Sequence, residues 1–138
     1  MNKFIRYRAG YKYQLFEDYT EIIGIYPEAD IETEYIILRK SGLLIIKEGY
    51  AWDGASGPTI DTRSSMRGSL KHDALYQLMR LKLLPEAWRR KTDEILRDTC
   101  IEDGMWRWRA ALWFRAVEDV AEISAHPGHD EYPVITAP

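Results

Sequence analysis

The chain has 138 residues, a formal net charge of −3 and one cysteine, Cys100. That length suits one domain, and a hydrophobic fraction of 46% places it among globular rather than disordered chains. A lone cysteine excludes an intrachain disulfide, and the mild acidic balance argues against nucleic acid as a partner, because such surfaces carry a basic excess.

The opening MNKFIRYRAG lacks the apolar stretch of a secretory signal, and runs such as YIIL and GLLII are far too short to span a bilayer. The expectation is a soluble protein of a reducing cytoplasm.

Residues 3–52 read as β structure. KFIRYR, YKYQLF and EIIGIY are runs of β-branched and aromatic residues separated by small or polar breaks. In EYIILRKSGLLIIKEG two apolar runs flank Arg39-Lys40-Ser41-Gly42, a hairpin turn in which Gly42 is free to take positive φ. Ile36-Ile37-Leu38 and Leu43-Leu44-Ile45-Ile46 are apolar on both faces, so these strands are expected to be covered on both sides.

Residues 53–64 form a loop punctuated by Gly54, Gly57 and Pro58, with Ser64 or Ser65 placed to cap the next helix. Residues 65–120 then read as three helices. Met66, Leu70, Ala74, Leu78 and Leu81 mark the first at helical spacing. Pro85 opens the second, with Trp88, Thr92, Ile95, Leu96 and Thr99 on one face, and Asp103-Gly104 closes it. Trp106, Ala110, Trp113 and Val117 mark the third, and HPGHDEYPVITAP follows as an extended tail. Strands first and helices second give an α+β class, with an antiparallel sheet over about 3–52 packed by about three helices. Residues 1–125 are expected to form one domain and 126–138 the tail.

The chemistry-bearing stretch is AWDGASGPTIDTRSSMRGSLKHDALY, from Ala51 to Tyr76. Asp53 is expected at the end of the last strand, with Gly54 and Ala55 leaving the backbone open to a ligand. His72 and Asp73 lie early in the first helix, pointing about 100° apart, so both can flank one cleft or ligate one ion. Asp93, on the second helix, approaches His72 if the two helices pack antiparallel.

Two mechanisms follow. His72, Asp73 and Asp93 or Asp53 could hold a divalent metal that activates water. Alternatively Ser56 is a nucleophile, His72 its base and an Asp the orienter, although Ser56 lacks a GxSxG elbow. The bland alternative is structural. His72 would then bond a carbonyl, Asp73 would pair with a nearby cation, and Asp53 would close an Asx turn. His126, His129 and Asp130 fall in the tail, where a metal site would have little support. In MWRWRAALWFR, Trp106 and Trp113 are expected in the core, while Trp108 and Arg107 are expected at an interface.

Asp53-Gly54-Ala55-Ser56 with Pro58, followed by His72-Asp73 and Leu75-Tyr76, resembles the pattern of the domain of unknown function 1353 (DUF1353) family. These are small proteins of tailed bacteriophages, prophages and bacteria. Thr92-Asp93-Glu94-Ile95-Leu96 resembles that family's third block, and the likeness covers roughly residues 40–120. The chain departs from it at Ser56-Gly57-Pro58, one residue longer than usual, and at Leu96, where an aromatic is common. The resemblance implies a phage context and singles out Asp53, Ser56, His72, Asp73, Tyr76 and Asp93, without implying a reaction.

Three functions are compatible with these residues. One is a hydrolase-like pocket, with or without a divalent metal, acting on cell-wall material or a phosphoester in the host cytoplasm. Another is a tail or baseplate component of the virion, assembling with other phage structural proteins or with itself. The third is a module that binds a small ligand to counter a host process.

Overall fold

The structure, a computed structural model, describes residues 5, 7–8, 13–52 and 63–125. The loop 53–62 and the expected tail 126–138 lie outside them. The arrangement is α+β, with two antiparallel sheets in the N-terminal part and three helices in the C-terminal part. Two compact units, parting at Asp53, are described in turn.

Among its described residues the first unit holds seven short strands: β1 Tyr7–Arg8, β2 Tyr13–Leu15, β3 Tyr19–Ile22, β4 Ile31–Glu32, β5 Ile36–Leu38, β6 Leu43–Ile46 and β7 Ala51–Trp52. They form a three-stranded sheet in the order β1-β2-β7 and a four-stranded sheet in the order β3-β6-β5-β4. The β5–β6 hairpin is the one expected. Gly42 N donates to Arg39 O at 2.9 Å, and Gly42 sits at φ +88°, where an L side chain is strained. A Cβ there would also come within 2.9 Å of the Tyr26 ring.

β6 buries Leu44 and Ile46 and leaves Leu43 and Ile45 half-covered, the alternation of a sheet with one deeper face. β5 is buried along its whole length, as its apolar run requires. Leu15, Tyr19, Ile25, Ile36, Leu38, Leu44 and Ile46 are the deepest side chains of this unit. Each buried aliphatic contributes about 1.5–3 kcal/mol of transfer free energy.

EIIGIY does not form one strand. β3 stops at Ile22, and Gly24 at φ +82° turns the chain, although Ile23 and Ile25 stay buried. KFIRYR is reduced to Tyr7–Arg8 among the described residues. β4 and β7, at two residues each, are too short to show any alternation in the sequence.

The second unit contains α1 Arg63–Arg80, a 3-10 turn Glu86–Trp88, α2 Arg89–Glu102 and α3 Arg107–Ala125. α2 packs against both α1 and α3, and α1 also meets α3. Gly68 lets α1 approach α2 closely. A Cβ there would lie 3.0 Å from Cys100 Sγ and 3.2 Å from the Leu96 carbonyl.

α2 ends in a Schellman motif. Met105 N donates to Cys100 O at 2.8 Å and Gly104 N to Ile101 O at 3.0 Å, with Gly104 at φ +107°. Arg67 of α1, 2% exposed, fastens to this end. Its Nε and Nη2 donate to Asp103 at 3.0 and 2.8 Å, and Nη2 also reaches Glu102.

Several helical expectations are corrected. Ser64 and Ser65 lie inside α1, which already begins at Arg63, so neither is its cap. Leu81 is 44% exposed. Lys82 at φ 64° swings the chain out of the helix, and Leu84 takes the inward place instead. Pro85 precedes the 3-10 turn rather than α2. Trp106 is 69% exposed, because α3 starts one residue later and Met105 fills the core position. No helix among the described residues is long and apolar enough to cross a membrane.

Candidate functional site

α1 and α2 bring His72, Tyr76 and Asp93 together. His72 and Tyr76 are one helical turn apart, so they lie on one face of α1. Their rings stack with centroids 4.1 Å apart and planes 30° apart. Both point at one acceptor. His72 Nε2 is 2.7 Å from Asp93 Oδ1, and Tyr76 Oη donates to the same oxygen at 2.6 Å. Asp93 is fully buried at 0% exposure. His72 is 12% exposed, and Asp73, with Oδ1 3.9 Å from His72 Nδ1, is 36% exposed. The imidazole thus spans from a sealed carboxylate to one that water reaches.

A second layer lies behind Asp93. Its Oδ2 is buried and has no hydrogen-bond partner at ordinary distance among the described residues. Arg89 Nη1 stands 3.9 Å from that oxygen and 3.4 Å from Glu118 Oε2 on α3. Arg90 Nη1 donates to Glu118 Oε1 at 2.9 Å. The carboxylates of Asp93 and Glu118 are therefore bridged by one guanidinium, and the network ties all three helices.

The protonation states follow from this crowding. Burial alone would lower the His72 pKa, but the Asp73 and Asp93 carboxylates on its two ring nitrogens outweigh burial and raise it. Burial alone would raise the Asp93 pKa. The bond from His72, with Glu118, the imidazolium charge and Tyr76, more than offsets burial and holds it below the ordinary carboxylate value. Tyr76 is pushed up, first by burial and then by its bond to Asp93. Glu118 rises to about 7, mainly through its interaction with Asp93 and then through burial, with Arg89 and Arg90 opposing. The raised His72 pKa favours the imidazolium, which the two carboxylates stabilise. It can donate a proton and recover it, with Asp93 fixing the ring and balancing its charge.

Of the residues expected from the sequence, His72, Asp73 and Asp93 are brought together. Asp53 and Ser56 lie outside the described residues, although β7 ends at Trp52, one position before Asp53. Asp73 and Asp93 lie on either side of the His72 imidazole rather than converging with it on a common point. Among the described residues no group of three or more His, Cys, Asp and Glu side chains is placed to hold one metal ion. Trp108 and Arg107 are exposed, Trp108 by 60%.

Sequence reasoning missed the roles of Arg89 and Glu118. The spacing of Arg89 and Asp93, four positions on one helix, signals the first. Nothing in the sequence marks Glu118, which reaches the site only through the packing of α3. The chain matches no family model, no curated protein and no solved structure.

Proposed function

We propose that His72 and Asp93 form the acid–base pair of a hydrolase-like pocket in a small phage-type protein akin to the DUF1353 family. The observation that carries this is the shared oxygen. Asp93 Oδ1, sealed from water, accepts from both His72 and Tyr76, while the far ring nitrogen faces half-exposed Asp73. His72 has a buried carboxylate on one nitrogen and a wetter one beside the other, the arrangement that positions an imidazole for proton transfer.

In this role imidazolium His72 gives its Nδ1 proton to the leaving oxygen of a phosphoester or glycoside as water attacks the phosphorus or anomeric carbon and the bond to that oxygen breaks, and the ring then regains a proton from solvent. Asp93 keeps the ring oriented and stabilises its charge, and Tyr76 fixes the carboxylate. Asp53 and Ser56 are candidates from the sequence pattern alone.

The test is hydrolysis of a chromogenic phosphodiester, a phosphomonoester and purified peptidoglycan by the wild-type chain and by His72→Gln. Turnover of one of these should fall on the order of 10²–10⁴-fold in the variant while its thermal melt persists. A wild-type chain inert toward all three, or a variant as active as wild type, removes the proposal.

A further inference from the structure

We infer that the Trp–Arg face of α3 docks onto the acidic β4 edge of the four-stranded sheet in a second copy of this chain. Trp106, Trp108 and Leu112 are 69%, 60% and 56% exposed, and the two indoles touch with centroids 6.0 Å apart. Trp108, Leu112 and Arg115 succeed one another at spacings of four and three on one helical face, with Arg107 beside them. From Met105 to Val117 the chain carries Arg107, Arg109 and Arg115 and no carboxylate. Large exposed aromatics interleaved with arginine are the side chains that dominate protein interfaces.

The complementary surface is in the first unit. Residues 13–40 carry seven carboxylates against Arg39 and Lys40. Glu28, Asp30, Glu32 and Glu34 are all exposed, and Arg39 engages only Asp30 and Glu32 among them. Two large exposed apolar side chains, Ile22 at 54% and Tyr26 at 55%, lie apart from that edge, at the hairpin end of the sheet. Ile22, on the opposite edge strand β3, pairs with Leu43 of β6, and the Tyr26 ring lies over Gly42.

The charge sign chooses the geometry. Two copies of the α3 face would set arginine against arginine, so a symmetric α3–α3 dimer is disfavoured. Basic face on acidic face lets each copy offer one surface to the other's complementary one. A chain of net charge −3 is also repelled as a whole from polyanions, which favours a second copy over nucleic acid or an anionic membrane.

The experiment is sedimentation velocity from micromolar to submillimolar protein, at low and high salt. The variants are Arg107→Glu with Arg115→Glu, and Glu28→Lys with Glu34→Lys, each checked for fold by circular dichroism. The wild-type chain should associate with rising concentration and dissociate with salt. Each double variant alone should associate on the order of tenfold more weakly or worse, and mixing the two should restore a complex. Three results would overturn the inference. They are a wild-type monomer throughout the range, association indifferent to both variants, and a monomer whose α3 face instead binds oligothymidine or phosphatidylglycerol vesicles.

Discussion

His72 Nε2 and Asp93 Oδ1 lie 2.7 Å apart, although 21 positions and two helices separate the residues. The contact exists because α1 and α2 pack closely at Gly68, and Asp93 is sealed from water once they do. A buried carboxylate is costly unless its charge is answered, and His72 and Tyr76 answer it on one oxygen.

Asp93→Asn should therefore be severe for a substitution that keeps the shape. The His72 cation loses its buried counter-charge and Tyr76 loses a charged acceptor, a loss of about 2–4 kcal/mol. The His72 pKa should fall, read by NMR titration of its ring protons. An unchanged His72 titration would show that Asp93 does not hold the imidazolium.

Tyr76→Phe removes one of the two donors and keeps the ring stacked on His72. The cost should be about 1–2 kcal/mol, since His72 still serves the same oxygen. Combined with His72→Gln, it should show non-additive losses in a denaturant double-mutant cycle, because both groups act on one atom.

The pH dependence has a worked sign. The folded pKa of His72 is raised above 6.5, so its contribution is complete below that value and is lost as pH rises through the higher folded one. The Asp93 pKa is lowered from 3.8, so its contribution is present above that value and is lost as pH falls through the lower folded one. Denaturant midpoints across pH should show the wild-type advantage over His72→Gln shrinking on the alkaline side.

Glu118 runs opposite to Asp93 and in the same direction as His72. Between 4.5 and about 7 the folded chain keeps a proton that the unfolded chain has released, so stability falls as pH rises through that window. Glu118→Gln keeps the neutral shape. It should be more stable than wild type by about 1 kcal/mol near neutral pH and above, and the difference should vanish in acid.

Gly68→Ala sets helix propensity against space. Alanine favours the helix by about 1 kcal/mol, but the added carbon would press on the Leu96 carbonyl, a backbone atom that yields only if α2 moves. Net destabilisation of about 1–2 kcal/mol is expected, measured by thermal melt.

The α+β order, the β5–β6 hairpin and the close of α2 at Gly104 were legible because each rests on a local signal: runs of β-branched and apolar residues, a turn glycine, or helical spacing. Leu81 and Trp106 defeated the same reasoning. Both fit a helical stripe by position, yet each sits where the helix has already ended or not yet begun, and Leu84 and Met105 pack in their stead. A stripe shows which residues would share a face, not where the helix stops.

At the site, the His72–Asp93 approach was legible only as a consequence of antiparallel packing, and Tyr76 through its place in the family-like pattern. The Arg89–Glu118 layer was not legible. Glu118 acquires its role from α3 lying against α2, a tertiary fact with no local mark.

Arg67 grips Asp103 at the far end of α2, while His72 and Tyr76 grip Asp93 nearer its start. Two ionic latches on one helix pair act like two pins in a slide. A shift by a single turn would strip both at once and strand four charges, so α1 cannot creep along α2 in small steps. Any motion between them must be all or nothing.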